Sequence, residues 1–214
     1  MTAKYRLVFF DVDSTLVTIE GIDVLGAGND EVAKLTDAAM NGKIPIEDVY
    51  ARRLEMIRPT RAAIDDLARR YVDCLVEGGQ ETIAALHDAG SVVHLVTAGI
   101  EQAVLPLARH LSIDPRHVHA VRLRFDASGQ YEDFDRHSPL TRQGGKELIV
   151  RDIRARAHGG AAFVGDGASD LEAKPAVDLF IGFGGVHTRP PVKDNADVFV
   201  DDRRLTAVLP YLMA

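Results

Sequence analysis

Five short, mostly apolar runs, Leu7–Phe10, Val92–Val96, Ala161–Val164, Leu179–Ile181 and Val198–Val200, punctuate the chain. Runs of four or five residues with little polar alternation suit strands covered on both faces. Between them lie segments of helical periodicity: Gly79–Ala89 closed by Gly90, Glu101–Leu111, and Lys146–Ala157 closed by Gly159-Gly160. Alternating strand and helix can cover both faces of such strands by winding the helices onto the two sides of one parallel sheet. The expected fold class is therefore α/β, a doubly wound, Rossmann-like core. Pro106 falls inside the second helical pattern and predicts a kink or a late start there.

Two segments break the alternation. Residues 18–77 contain no strand signal and read as three or four helices, among them Glu31–Met40, Ile46–Ile57 and Arg61–Leu75. The expected organisation is a helical cap over 18–77, inserted into a core made of 1–17 and 78–214. The second exception, Val121–Phe134, alternates apolar and polar residues around Asp126-Ala127-Ser128-Gly129, the pattern of a small β-hairpin.

Composition narrows the partners. At 214 residues and 46% hydrophobic, the chain can bury a core, and a formal charge of -7 gives no broad basic field for nucleic acid or an anionic membrane. A small-molecule partner is favoured. No run is long enough to span a bilayer, and Met1–Arg6 leads into the first strand without the features of a signal peptide. The single cysteine, Cys74, reads as a packed thiol and suits a reducing, cytoplasmic setting. The eight histidines show no zinc spacing, and His117-x-His119 beside Pro115 reads as an exposed loop. Gly182–Gly185 reads as a loop near the site, and Arg151, Arg154 and Arg156 as a solvated helix face.

In a parallel sheet ligands bind beyond the carboxyl ends of the strands. There the sequence places Asp11-Val12-Asp13-Ser14-Thr15, Thr97-Ala98-Gly99 and Gly165-Asp166-Gly167-Ala168-Ser169-Asp170, with Lys146 opening the helix before the third strand. Each string alone is weak. Together they bring carboxylates, hydroxyls, flexible backbone and one ammonium to neighbouring strand ends, a set suited to a phosphoryl group. A carboxylate approaching a phosphate is repelled unless cations intervene. Mg2+ is a hard octahedral ion that Asp11, the backbone carbonyl of Asp13 and Asp166 could hold, while Lys146 adds a fixed positive charge. Thr97 and the amides around Ala98 suit the phosphate oxygens.

These four strings, in this order, resemble the motifs of the haloacid dehalogenase superfamily. The resemblance extends to the phosphoserine phosphatase family through Asp11–Leu16 with Glu20-Gly21-Ile22-Asp23, Met40-Asn41-Gly42-Lys43 and Ile181-Gly182-Phe183-Gly184-Gly185. It implies that Asp11 is the nucleophile, forming an aspartyl-phosphate. Asp13 is then the acid that protonates the leaving alkoxide and later activates water, and Asp166 ligates magnesium. Asp170 acts from behind the ion or orients Lys146. It further implies that Glu20 meets the substrate ammonium, Arg53 its carboxylate, and that Met40 and Ser169 line the pocket. The chain departs from the family pattern in Thr97-Ala98-Gly99, where Ser-Gly-Gly is usual, in Ile46, where phenylalanine is frequent, and in Ser169, where threonine or asparagine is commoner. The implied function is magnesium-dependent hydrolysis of O-phosphoserine. A phosphatase or phosphotransferase of the same fold acting on another small phosphomonoester is the alternative, and a silent phosphate-binding module is a third.

Overall fold

The computed structural model describes residues 2–214, so Met1 of the opening Met1–Arg6 stretch lies outside the described residues. The chain opens with β1 (Leu7–Phe10), then passes through α1 (Gly21–Leu25), α2 (Asp30–Met40), α3 (Ile46–Ile57), α4 (Arg61–Asp73) and α5 (Gly79–Asp88). It continues through β2 (Val92–Ile100), α6 (Glu101–His110), β3 (Val118–Val121), β4 (Leu123–Phe125) and β5 (Tyr131–Phe134). The last part comprises α7 (Gly145–Arg156), β6 (Ala161–Gly165), α8 (Ala168–Leu171), β7 (Leu179–Phe183), α9 (Pro190–Asn195), β8 (Val198–Val200) and α10 (Leu209–Leu212).

Six strands form one parallel sheet in the order β3-β2-β1-β6-β7-β8. All four residues of β1 and all five of β6 are buried, as strands covered on both faces require. Winding proceeds from β1 to one side through β2 and β3, then resumes on the other side at β6. The gap between β1 and β6 is thus the switch point where crevices form in such sheets.

Two expectations about elements need correction. The hairpin begins at Leu123, pairing β4 with β5, because Val118–Val121 is taken by the parallel sheet as its edge strand. His119 therefore stands in a strand, opposite Val96, and not in an exposed loop. α6 runs from Glu101 with Pro106 inside it, so of the two alternatives expected there, a kink or a late start, the late start does not occur. Its buried residues Ala103, Val104, Leu107 and Ala108 pack against α4, which offsets the one backbone hydrogen bond that Pro106 cannot make.

The helices α1 to α4 leave and rejoin the sheet side by side. Val17 and Leu75 form an antiparallel bridge, the Thr18 amide donates to the Cys74 carbonyl at 2.8 Å, and the Val76 amide donates to Leu16 at 2.9 Å. Apolar residues of this segment, including Leu54, Ile64, Leu67 and Tyr71, join one continuous core with the sheet. Among the described residues no helix is long and apolar enough to cross a membrane.

Candidate active site

β1 ends at Phe10, and the next residue, Asp11, is tied to the adjacent strand by its amide, which donates to the Val164 carbonyl at 3.0 Å. The chain turns sharply here. Ser14 adopts a left-handed backbone, φ 54°, a conformation that costs a residue with a side chain about 1–2 kcal/mol. Its hydroxyl donates to Glu20 Oε1 at 2.6 Å, which ties the turn to the start of α1. Thr15, also in the turn, donates to Asp166 Oδ1 at 3.0 Å and links the loops that follow β1 and β6.

One carboxylate oxygen from each of Asp11, Asp166 and Asp170 lies within 4.8 Å of the others, and all three residues are buried. Lys146 Nζ sits 2.8 Å from Asp11 Oδ1 and also contacts Asp170 Oδ1. Burial opposes the charge on Lys146, but these two carboxylates outweigh it and hold the ammonium above the ordinary lysine range. Asp170 anchors its own loop as well, accepting from the Gly167 amide at 2.8 Å. Burial, and then the neighbouring Asp11, pushes Asp170 up to about 8. Asp166 is pushed up to about 7 by burial and then by Glu20. Carboxylates that resist ionisation for want of positive charge form a donor set suited to a divalent oxygen-seeking cation, so the residues fit Mg2+.

Asp13 stands apart from this cluster. Its Oδ1 accepts from the Gly21 amide and from the Tyr71 hydroxyl, each at 2.8 Å. Burial and then Asp11 push it up to about 7, which favours a proton on this carboxyl over an ordinary aspartate. A methyl group on Gly21 would come within 2.1 Å of the Tyr71 hydroxyl, so glycine is what lets α1 approach closely enough for both bonds.

Asp11, Asp13 and Lys146 line one cavity together with Glu20, Met40, Arg53, Thr97, Ala98, Gly99 and Ser169, so of the site residues singled out in the sequence all but Asp166 and Asp170 meet in its wall. Asp166 and Asp170 lie behind this lining. Ile46 is also in the wall. Thr97-Ala98-Gly99 belongs to the extended end of β2 and not to a turn after it, and none of the three has a positive φ. Ala98 thus needs no glycine-like backbone. Its carbonyl accepts from the Tyr50 hydroxyl at 3.0 Å, and Thr97 Oγ1 accepts from the Gly99 amide at 3.0 Å. Gly182 likewise lies inside β7, so only the last part of Gly182–Gly185 is a loop.

Arg53 on α3 is 6% exposed. It donates from Nη1 to Thr36 Oγ1 at 3.1 Å and lies over the Tyr50 ring, while its buried Nε has no partner among the described residues. Glu20 is pushed up to about 8 by burial and then by Asp13. Its Oε1 is engaged by Ser14 and, at 3.3 Å, by Arg189 Nη2. Arg189, just before α9, is a buried cation that sequence reasoning missed, as it missed Tyr71 and Tyr50. Its Nε donates to Asp166 Oδ2 at 3.0 Å, so with Thr15 on Oδ1 both oxygens of that carboxylate are held. The available signal was weak: a lone arginine ahead of Pro190-Pro191.

An aspartate-centred site at the switch point of a parallel sheet, with a lysine closing the charge, is the arrangement of an α/β-class enzyme that can use a carboxylate as nucleophile on a phosphoryl group. Residues 8–173 match the family of haloacid dehalogenase-like hydrolases. A phosphoserine phosphatase from Bos taurus is 37% identical over 199 residues, covering 91% of this chain and 88% of that protein. Two solved structures superpose closely. One, described as a phospho-aspartyl intermediate analogue of phosphoserine phosphatase, has a TM-score of 0.85 at 29% identity and covers 98% of this chain and 99% of that one. The other, a substrate-bound phosphoserine phosphatase complex, has a TM-score of 0.85 at 28% identity, with coverage of 98% and 99%. The chain belongs to the haloacid dehalogenase-like hydrolases and, within them, to the phosphoserine phosphatase family.

Proposed function

We propose that the protein hydrolyses O-phosphoserine to serine and phosphate, and that the buried Arg53 is what selects the serine moiety. The observation that carries this reading is that Arg53, a buried guanidinium whose Nε has no partner among the described residues, is one of the residues lining the cavity that also holds Asp11 and Lys146. A guanidinium kept from water without a full set of acceptors is a ready receptor for a carboxylate. Glu20, in the same wall, offers the opposite charge for the substrate ammonium. The helical segment 18–77 acts in this reading as a cap that supplies Glu20, Met40 and Arg53 to a core of 1–17 and 78–214. The names of the family relatives point to the same substrate.

In this mechanism an Asp11 carboxylate oxygen attacks phosphorus, forming an aspartyl-phosphate as the ester oxygen of serine leaves. Asp13, held by Tyr71 and Gly21, donates its proton to that oxygen and then takes one from the water that attacks the intermediate. Lys146 fixes Asp11 and balances charge on the phosphate, while Thr97 and the amides of Ala98 and Gly99 hold its oxygens. Asp11, Asp166 and the Asp13 carbonyl would hold magnesium, with Asp170 supporting them, and the ion would supply the positive charge that offsets the repulsion between nucleophile and phosphate.

The test separates the two ends of the substrate. Arg53→Ala should lower kcat/KM for phosphoserine about ten- to a hundredfold, since a charged contact of about 1.5–3 kcal/mol is lost. Hydrolysis of p-nitrophenyl phosphate should change far less. Equal losses on both substrates would mean that Arg53 supports the fold alone, and the phosphoserine assignment would fail.

A further inference from the structure

Tyr50 lines the same cavity and takes no part in the steps above. It stands on α3, is buried, and reaches from the helical segment to the end of β2, where its hydroxyl donates to the Ala98 carbonyl at 3.0 Å. Burial holds the phenol well above its ordinary range, so it keeps its proton and stays a donor. Its ring is fixed on two sides. The Phe134 ring of β5 meets it edge-on with centroids 5.1 Å apart, and the Arg53 guanidinium lies 5.9 Å from its centroid. The Ala98 carbonyl that it grips belongs to the same planar peptide unit as the Gly99 amide. In a trans peptide the two point in opposite directions, so holding one aims the other. That amide donates to Thr97 Oγ1 at 3.0 Å, and a Cβ on Gly99 would stand 3.1 Å from Asp13 Oδ2, so the peptide lies beside the Asp13 carboxyl.

We propose that Tyr50 is a positioning residue that aims the Gly99 amide at the substrate phosphate, so that the helical segment completes the phosphate recess as well as the serine end of the cavity. The inference rests on the assignment above of Thr97 and the Gly99 amide to the phosphate oxygens. Three observations carry it. First, the Ala98–Gly99 peptide is held at both ends, by Tyr50 on its carbonyl and by Thr97 on its amide. A phosphate that takes the amide from Thr97 leaves the Tyr50 hydroxyl holding the other end, and a donor aimed in advance costs no reorganisation when charge arrives. Second, the amide belongs to a glycine, whose backbone is the least restrained by its own side chain, so an outside hold has the most to restrain there. Third, the ring that carries this hydroxyl also supports Arg53, so the carboxylate receptor and the phosphate donor are set against one rigid group. α3 has another tie to the core, at the surface: Glu47 Oε2 accepts from the Gln143 amide at 2.9 Å. That bond leads to the loop before α7 and not to Ala98–Gly99, which makes it the control.

The experiment compares Tyr50→Phe, which keeps the ring against Phe134 and Arg53 and removes only the hydroxyl, with Glu47→Ala, which removes the surface tie of the same helix. The readout is the inhibition constant of inorganic phosphate against hydrolysis of p-nitrophenyl phosphate in saturating Mg2+, a measurement in which no serine moiety takes part. In Tyr50→Phe the constant should rise about three- to tenfold, and kcat/KM for p-nitrophenyl phosphate and for phosphoserine should fall by one common factor, because both share the phosphate end. In Glu47→Ala the constant should keep its wild-type value. A wild-type constant in Tyr50→Phe overturns the proposal. So does an equal rise in Glu47→Ala, which would make Tyr50 one of several general supports of the helical segment. Failure of the phosphoserine assignment shows elsewhere, as equal losses of Arg53→Ala on the two substrates, and leaves the phosphate comparison standing.

Discussion

At the scale of single residues, the site is a problem of unbalanced charge. Asp11, Asp166 and Asp170 are packed together with Lys146 and Arg189 as their ion-pair partners, and Asp13 is buried beside Asp11. Chelation with EDTA should therefore abolish phosphate release, and added Mg2+ should restore it. Ca2+ should not, because its larger and looser shell misplaces the nucleophile. Activity that survives exhaustive chelation would count against the ion assignment. Asp13 depends on two donors, and Tyr71→Phe removes one while Gly21 retains the other. The variant should lose about tenfold in kcat with little change in KM, read from steady-state phosphate release. The residues whose placement was legible in the sequence are those that stand at a strand end: Asp11, Thr97, Asp166. Tyr71 and Arg189 were not, since nothing local distinguishes a core tyrosine or an arginine before two prolines. Their meaning arises only when α4 and the segment before α9 fold back onto the loop after β1.

Secondary-structure elements act here as mounts. α7 carries Lys146 at its first turn, and its position is set by Gly145, where an added Cβ would stand 2.0 Å from the Pro139 carbonyl oxygen. Backbone cannot yield as a flexible side chain can. Gly145→Ala should cost about 1–3 kcal/mol in urea unfolding and, by pushing the helix start away, reduce kcat/KM as well. Loss of stability with unimpaired turnover would show that Lys146 tolerates displacement. Strand type was easy to read where runs were apolar and continuous, as in β1 and β6. β3 escaped because Val118-His119-Ala120-Val121 is short, polar at one position and at the sheet edge, so its pattern merges with that of the hairpin. Helix α3 covers the residues read in the sequence, Ile46–Ile57; in the structure Pro45 precedes it and Arg58, left-handed at φ 44°, stops it.

At the scale of the molecule, the sheet carries a buried row of rings, His94, Phe9, Phe163 and Phe180, each stacked on the next. Burial, then His117 and His119, push His94 down to about 3. It stays neutral in the fold, whereas in the unfolded chain it takes a proton near 6.5. The sign follows: this stability is complete above about pH 6.5 and is lost as pH falls toward 3. By pH 5 up to about 2 kcal/mol should be gone relative to pH 8. His94→Phe should flatten that part of the profile, measured as the urea midpoint against pH in metal-free buffer. Parallel slopes in the two proteins would place the proton elsewhere.

β1 is the first strand in the chain and lies inside the sheet, between β2 and β6. During synthesis Leu7-Val8-Phe9-Phe10 leaves the ribosome long before either neighbour exists, and its second neighbour starts only at residue 161 of 214. Until then an apolar strand has an open edge, the state most prone to association with other chains. The chemistry waits on the same clock. Asp11, Asp13, Glu20 and Arg53 precede Lys146, Asp166, Asp170 and Arg189 in the chain by about ninety residues or more, so the two halves of the site are made far apart. Such long-range pairing makes for slow folding. Arg189, the buried partner of Asp166 and Glu20, is accordingly the last of these side chains to be made.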